Sequence, residues 1–416
     1  MSTEDSRPNP SPDRSMISAG SLRGELQQRA PALVLLWLGG FGIRVTILAV
    51  PPVISSIHRS LGLNEKGITA LTNLPVLMLA LMAVPAGSGV SRLGAPLAAG
   101  VGLAVVSVAG ALRGVGPNLA VVFAMTAVMG AGAALVQGSL PTLARAWFPR
   151  HVGLATAVYS NGLLVGEVIP ASLTGIALLP LLSGRWGLDL AVWSLPVMAG
   201  ALLFVFLAPR LKRAERASSA RPHFRSSSIW RVGVTMSFAS AAYFGANSFV
   251  PDYLRAVGHA GLTTAALAAL NLSQLPASVL VLAIPERLVG RRAPFIASGV
   301  IISCAGVLLV LTSGIWTVAW VGVMGFATSL TLILTLALPA LLATSPADVN
   351  RLTAALFTIT YGFSFAWAIA GSALWDSYHL PSASFLTLAA GGVVMAFLSS
   401  TTHIRLAIAR VSRSDS

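Results

Sequence analysis

Two ionisable residues lie deep inside apolar stretches of this sequence, where a charged side chain is unusual. Arg44 stands in GGFGIRVTILAVPP (39–52), and Glu167 stands in NGLLVGEVIPASL (161–173). Arginine stays protonated and presents a planar fork of N–H donors that suits a carboxylate-like anion. A glutamate removed from water keeps its proton more readily than an exposed one. The two residues predict a site that can bind an anion and carry a proton.

A purely structural interpretation of both residues stays open. Arg44 could form a permanent salt bridge that holds two helices together, with Glu167 as the obvious partner. Glu167 could equally be a packing carboxyl group that bonds to neighbouring hydroxyls or to Arg44. Because a charge at membrane depth costs at least about 2.5–3.5 kcal/mol on insertion scales, we treat both residues as functional hypotheses.

The composition indicates that most of the chain lies in lipid. Of its 416 residues, 55% are hydrophobic and only 10% are charged, and the mean hydropathy is +0.81. A soluble protein carries charge on about a quarter of its residues. The single cysteine, Cys304, has no partner in the chain for a disulfide. We therefore expect an all-α membrane protein.

A helix needs roughly 20 mainly apolar residues to cross the bilayer. Twelve such spans can be placed along the chain, in two groups of six. The first six spans are 31–57, 67–90, 95–112, 118–144, 152–182 and 188–208. The second six spans are 230–256, 263–285, 293–312, 315–343, 351–375 and 382–403. This pattern predicts an N-terminal six-helix bundle over 31–208 and a C-terminal six-helix bundle over 230–404.

The positive charges predict the orientation of the chain. Loops on the same side as the termini would carry fourteen Lys and Arg residues, against five in the opposite loops, and the tails add seven. Because basic loops stay in the cytoplasm, both termini and the linker 209–229 are expected to be cytoplasmic. The segments 1–30 and 405–416 are predicted to be cytoplasmic tails, the first of them disordered. Topology thus accounts for the net charge of +14 without nucleic acid as a partner.

The two halves of the chain resemble each other at an offset of about 200 residues. LPVLMLALMAVPAG (74–87) returns as LPASVLVLAIPERL (275–288), and LPTLARAWFPRHVGLATAVYSNG (140–162) is echoed by LPALLATSPADVNRLTAALFTITYG (338–362). A six-plus-six repeat joined by a basic cytoplasmic linker is the plan of a major facilitator superfamily transporter. In that plan the two bundles rock around a site near the bilayer midplane.

Neutral polar side chains inside the spans supply further binding candidates. They are Gln137, Tyr159, Ser160, Asn161, Tyr243, Asn247, Asn271, Gln274, Thr331, Thr335, Tyr361 and Trp367. The first span of each three-span repeat is expected to line the central cavity. The predicted substrate site consists of Arg44, Gln137, Tyr159, Asn247, Thr331 and Tyr361. Glu167 is the predicted proton-coupling residue, and each neutral residue is otherwise a hydrogen bonder between helices.

Four segments of the chain resemble a known family: RVTILAVPPVI in span 1, GITALTNLPVLMLALMAVPA in span 2, ALRGVGPN after span 3, and GAGAALVQGSLPTLARAWFPR in span 4. That family is the cyanate transporter (CynX/NimT) family of the superfamily, and the resemblance extends from about residue 31 to 405. Arg44 and Gln137 match family positions, whereas Glu167 departs from them, since a small residue is common there. Ser91 in GSGVSRLG stands where the superfamily's loop signature has an aspartate.

The resemblance implies a secondary transporter that moves a small anion or small polar solute, of the cyanate-like kind, across the bacterial cytoplasmic membrane by alternating access. Glu167 favours proton coupling, and facilitative transport is the other possibility. The alternative is an exporter of drugs or metabolites such as nitroimidazole-type compounds, and a membrane sensor that binds solute without transport is a remote one. The sequence contains no phosphate-binding loop, no His/Cys metal cluster and no nucleophile elbow. We expect no enzyme activity, no cofactor and no metal. The expected partners of the monomeric chain are solute, protons and lipid.

Overall fold

The structure is a computed structural model that describes residues 30–401, apart from 64, 117, 209–223, 225–226, 344, 379 and 381. All regular elements in this part of the chain are helices. The predicted tails 1–30 and 405–416, except for residue 30, and most of the predicted linker 209–229 lie outside the described residues.

Helices occupy every predicted span. The long helices of the first half are α1 (Ala30–Leu48), α2 (Glu65–Leu93), α3 (Ala95–Leu112), α4 (Leu119–Trp147), α5 (Val152–Leu173) and α6 (Trp186–Leu207). Those of the second half are α7 (Ser227–Ala256), α8 (Thr263–Leu272), α9 (Gln274–Ala283), α10 (Ala293–Leu311), α11 (Ile315–Leu342), α12 (Pro346–Tyr378) and α13 (Ser382–Thr401). Short helical segments lie between some of them: Pro51–Val53, Ile54–Leu61, Thr174–Leu178, Leu179–Leu181, Ala260–Leu262 and Pro285–Leu288.

Three of the predicted spans contain irregular turns that the hydropathy pattern does not show. Span 1 leaves the α-helix at Leu48 and continues as a 3-10 turn at Pro51–Val53, because proline lacks the N–H that would extend the helix. Span 8 is divided into α8 and α9 at Ser273. Span 5 continues beyond α5 as a π-helical turn at Thr174–Leu178.

Eleven stretches of the described residues are helical, long and apolar enough to cross a membrane. The predicted span 230–256 is also helical, as α7, but it is not among the eleven. Polar residues such as Ser237, Asn247 and Asp252 lower its hydropathy. The described helices define an all-α, multi-pass membrane protein.

Buried apolar side chains form two large clusters. One cluster is built mainly from α1 to α6 and the other mainly from α7 to α13. A few members cross over: Phe357 and Tyr361 belong to the first cluster, while Val152 and Leu164 belong to the second. The two halves of the chain therefore share an apolar interface, and polar groups placed along it are shielded from water.

Glycines bring α1 and α5 into close backbone contact. A Cβ atom on Gly162 would collide with the carbonyl oxygen of Trp37, and one on Gly166 would lie 2.6 Å from the carbonyl oxygen of Phe41. Small residues at such positions let membrane helices approach each other more closely than larger ones would. The side chains that follow these glycines can therefore meet across the α1–α5 interface.

Replacing Gly166 with alanine is expected to force α1 and α5 apart, because the new Cβ would stand against the Phe41 carbonyl. Overpacking of this kind costs about 1–3 kcal/mol, so the midpoint of thermal unfolding in detergent should fall. Gly175→Ala is the matched control, since a Cβ there meets nothing within 4 Å. Equal midpoints for the two variants would contradict the packing argument.

Candidate substrate site

Arg44 lies deep in α1 and forms an ion pair with Glu167 of α5. Nη1 of Arg44 is 3.1 Å from Oε1 of Glu167, and the two side chains are 4% and 1% exposed. The helix rises roughly 21 Å from its first residue to Arg44, which is too far for the side chain to reach water beyond that end. Both charges are therefore held inside the protein, where each compensates the other.

The second carboxylate oxygen of Glu167 is held by the other half of the chain. The hydroxyl of Tyr243, in α7, donates to Oε2 at 2.9 Å, and Nε2 of Gln274, at the start of α9, donates to it at 3.2 Å. Hydrogen bonds to an ionised group are about twice as strong as neutral ones. One carboxylate thus connects α1, α5, α7 and α9.

Asn271 extends this network and gives the hydroxyl proton of Tyr243 a second acceptor. Its Oδ1 lies 2.9 Å from the hydroxyl oxygen of Tyr243 and 3.2 Å from Nε2 of Gln274. A tyrosine hydroxyl carries one proton, so Tyr243 donates either to Glu167 or to Asn271 at a given moment. If Glu167 is protonated, the hydroxyl can accept from the carboxyl group while it donates to Asn271. The network can therefore hold Glu167 in either protonation state.

A cavity of about 30 Å³ lies beside Arg44, between α1 and the helices α7, α9, α11 and α12. We call it the central cavity. Its lining residues are Arg44, Met236, Ala239, Ser240, Tyr243, Phe244, Gln274, Thr328, Ser329, Thr331, Leu332, Thr335, Thr360 and Tyr361. The wall combines one cation with several hydroxyl groups and apolar side chains, which suits a small anion or a small polar solute.

Two polar atoms of residues in this wall have no hydrogen-bond partner among the described residues. They are Nε of Arg44 and the hydroxyl oxygen of Thr331. The ring centroid of Phe244 lies 5.9 Å from Cζ of Arg44, which is within the range of a cation–π contact. Because a buried donor without a partner costs free energy, an anion that accepts a hydrogen bond from Nε would lower the free energy of this site.

Gln137 and Tyr361 join the two halves of the chain at one edge of the central cavity. Nε2 of Gln137, in α4, donates to the hydroxyl oxygen of Tyr361, in α12, at 2.6 Å, and both side chains are buried. Tyr361 lines the central cavity, whereas Gln137 lines a second, smaller cavity. Arg44, Thr331 and Tyr361 are thus the predicted site residues that the fold gathers around the central cavity.

The other two predicted site residues bond to helix backbone. The hydroxyl of Tyr159 donates to the carbonyl oxygen of Leu336 at 3.0 Å, which links α5 to α11. Nδ2 of Asn247 donates to the carbonyl oxygen of Tyr243, one turn earlier in α7, at 3.0 Å. These contacts stabilise the helices and their packing, and the assignment of both residues to substrate binding stays a prediction.

Three members of the network belong to the neutral polar candidates, but not to the predicted site: Tyr243, Asn271 and Gln274. Their signal in the sequence is a polar side chain within an apolar span. Phe244 carries no such signal, because phenylalanine is apolar, and Thr328 is a polar residue of an apolar span that the prediction omits. Only the folded chain places these two in the cavity wall.

The sequence model of the Major Facilitator Superfamily matches residues 36–372 of this chain. The matched region includes the whole network around Arg44 and Glu167. The chain is a member of the major facilitator superfamily. This membership confirms the expectation drawn from the six-plus-six repeat and makes the protein a transporter of that superfamily.

A distant relative in sequence is the cyanate transport protein CynX of Escherichia coli (strain K12). It is 23% identical over 244 residues, which are 57% of this chain and 62% of that protein. The matched region therefore spans less than two thirds of that relative's length. The chain thus resembles the cyanate transporter family, as the motifs in spans 1 to 4 indicate.

Two crystal structures show similar folds at low sequence identity. The human organic anion transporter MFSD10 (TETRAN) is matched with a TM-score of 0.71 and 15% identity, over 89% of this chain and 99% of that one. The E. coli fucose:proton symporter FucP is matched with a TM-score of 0.70 and 13% identity, over 88% and 97%. These likenesses establish that the described helices adopt the fold of the superfamily.

Glu167→Gln is expected to destabilise the protein strongly, because it leaves the buried guanidinium of Arg44 without a counter-charge. Removing one partner of a buried ion pair costs about 3–5 kcal/mol. The thermal unfolding midpoint in detergent should therefore fall, and a double variant that also carries Arg44→Met should recover part of the loss.

Asp252→Asn is the control for this measurement. It removes an ion pair to Arg255 whose partners are 54% and 64% exposed, and exposed pairs contribute about 1 kcal/mol or less. If Glu167→Gln lowered the midpoint no more than this control does, the buried ion pair would not stabilise the fold.

Proposed function

We propose that this transporter is a secondary active carrier that moves a small anion or small polar solute of the cyanate-like kind by alternating access. Arg44 binds the solute and Glu167 carries a proton. The observation that carries the proposal is the buried ion pair between Arg44 and Glu167, whose arginine lines a cavity between the two halves of the chain. The distant similarity to a cyanate transport protein supports the class of solute.

A change of partner at Arg44 would couple the solute to a proton. In this structure the carboxylate of Glu167 is paired with the guanidinium of Arg44. An anion that binds Arg44 displaces the carboxylate, which is then buried without a cation and takes up a proton. The site holds one cation and one anion in both states, so its net charge does not change. The halves can then rearrange around the site without moving net charge across the membrane.

We propose that the chain crosses the membrane twelve times. The twelfth span is α7, which is more polar than the eleven stretches described above. This helix has 30 residues and contributes Tyr243 to the buried network, so part of its polar surface faces protein. The bundles 31–208 and 230–404 then enclose the site, and the distribution of positive charge places both termini in the cytoplasm. We assign the protein to the bacterial cytoplasmic membrane, as a monomer.

Arg44→Ala is expected to abolish uptake of labelled cyanate into proteoliposomes while membrane expression stays near normal, because Glu167 can take up a proton and so is not left as an unpaired buried charge. Arg44→Lys should retain part of the activity, because lysine keeps the charge but lacks the planar fork of donors. Wild-type uptake by Arg44→Ala would refute the role of this residue as the anion anchor.

Glu167→Gln should separate solute movement from proton movement, because glutamine imitates a permanently protonated carboxyl group. We expect the variant to exchange cyanate across the membrane, but without the stimulation that an inward proton gradient gives the wild type. Wild-type uptake should respond to the pH step and not to a potassium diffusion potential, since solute and proton cross without net charge.

The same assay distinguishes the alternatives. Proton-stimulated uptake by Glu167→Gln would mean that another group carries the proton and that the Arg44–Glu167 pair is structural. Folded wild-type protein that moves no cyanate would remove the cyanate inference. Efflux of a nitroimidazole compound from preloaded vesicles would then favour the exporter.

A further inference from the structure

Asp189 is a buried acid that takes no part in the network around Arg44. It lies in the first turn of α6 and is 0% exposed. Neither Oδ1 nor Oδ2 has a hydrogen-bond partner among the described residues. In the orientation proposed above, α6 begins at the outer face of the membrane. Asp189 therefore lies at the outer end of the N-terminal half, away from the central cavity.

A capping role does not explain this carboxyl group. Acidic residues near the start of a helix often accept hydrogen bonds from the free N–H groups there, and the helix dipole favours their negative charge. Both oxygens of Asp189 are unpaired. The residue at the N-cap, Arg185, also makes no capping bond through its side chain. An ionised Asp189 would therefore gain little from the start of α6.

The helices around Asp189 supply no counter-charge to it. α6 packs mainly against α3 and α1, and Trp193 links it to span 5. The ionisable residues of these elements, and of the neighbouring short helix Ile54–Leu61, are Arg44, His58, Arg59, Arg113, Glu167 and Arg185. None of them forms a hydrogen bond with Asp189. Arg44 and Glu167 are paired with each other.

Arg113, at the end of α3, is the buried cation of this region, and it binds backbone instead. Its Nη2 donates to the carbonyl oxygen of Thr46 at 2.6 Å, and its Nε donates to that of Gly110 at 3.4 Å. The ends of α3 and α6 are in tight contact, since a Cβ on Gly187 would collide with the carbonyl oxygen of Gly114. The guanidinium thus stabilises the end of α1 and leaves Asp189 without a cation.

A carboxylate without a partner is very costly inside a protein, whereas a neutral carboxyl group costs much less. Buried acids in such surroundings take up a proton, because this removes the charge. Asp189 has no cation and no hydrogen-bond donor among the described residues. A bound proton is therefore the state of Asp189 that fits this arrangement of the helices.

The neighbours of Asp189 connect this proton to the packing of span 5. Thr174 and Trp193 lie beside the carboxyl group. Nε1 of Trp193 donates to the hydroxyl oxygen of Thr174 at 2.7 Å, which joins α6 to the π-helical turn Thr174–Leu178. A carboxylate is a stronger acceptor than a hydroxyl group. An ionised Asp189 would therefore attract the indole N–H away from Thr174 and weaken this link.

We propose that Asp189 is a second proton-binding site, separate from Glu167, and that its proton keeps the outer end of span 5 docked on α6. Thr174 follows Glu167 by about two helical turns on the same span. The site thus acts on the segment that carries the proposed coupling residue. Only its location at the outer face rests on the proposed orientation.

Infrared spectroscopy of the purified protein detects this proton directly, because a protonated carboxyl group and a carboxylate absorb at different frequencies. Exposed acidic side chains lose their protons near about pH 4, so a protonated-carboxyl band at neutral pH belongs to a buried group. We expect this band in the wild type and its loss in Asp189→Asn. Asp252→Asn replaces an exposed acid; this matched control should keep the band.

Thermal unfolding in detergent measures the same proton through stability. A carboxyl group that keeps its proton when folded and loses it on unfolding stabilises the fold less as the pH rises. Between about pH 5 and about pH 8, the wild-type midpoint should therefore fall by more than that of Asp189→Asn, whose amide has no such proton to lose. At the lower pH the two midpoints should agree, because the amide imitates the protonated carboxyl group.

Tryptophan emission tests the docking of span 5. Raising the pH until the carboxyl band disappears should shift the emission of the wild type, because the indole of Trp193 changes its hydrogen-bond acceptor. The shift should be absent from Trp193→Phe and from Asp189→Asn. Trp316→Phe, which removes an indole that is 58% exposed in the other half of the chain, should retain the shift.

Three results would overturn the inference. One is an Asp189→Asn spectrum that keeps the whole protonated-carboxyl band. Another is a midpoint that sodium, compared with choline, raises at neutral pH in the wild type but not in Asp189→Asn, since a metal cation would then occupy the site. The third, against the docking role, is an emission that stays constant while the band disappears. None of these measurements requires a transported solute, so failure of the cyanate assay leaves them independent.

Discussion

The buried ion pair between Arg44 and Glu167 is the interaction on which the rest of the site depends. Moving a charge out of water costs several kcal/mol per ion, and the attraction offsets this only when the geometry is good and the remaining polar atoms are bonded. Here the pair is 3.1 Å apart, and the free carboxylate oxygen accepts two further hydrogen bonds. Four helices must therefore converge at the same depth.

The position of this carboxylate supplies a physical link between proton binding and the arrangement of the two halves. Its counter-charge comes from α1, and its hydrogen-bond donors come from α7 and α9. When Glu167 is ionised, these bonds are charge-assisted and hold the halves together; protonation weakens them. A ligand or proton that binds one of these two states more tightly than the other shifts the equilibrium between them.

Beyond the site, the two halves also meet through an uncharged hydrogen bond. Ser91, which the sequence resemblance predicts at the position of the superfamily's loop aspartate, donates from its hydroxyl to the carbonyl oxygen of Ser88 in its own helix, at 2.9 Å. The halves meet nearby through the amide of Asn350 and the backbone of Gly87. Neutral hydrogen bonds are weaker than charge-assisted ones, so this contact opposes separation of the halves less than an ion pair at the same place would.

The sequence predicted the helical spans and singled out Arg44 and Glu167, because lipid demands long apolar helices and makes buried charges costly. It also indicated that these two residues could form a salt bridge with each other. The sequence did not reveal that Tyr243 and Gln274 hold the carboxylate of Glu167, or that Asn247 bonds to backbone. Those contacts depend on how each helix is rotated and on how closely glycines let helices approach, and neither property is local in the sequence.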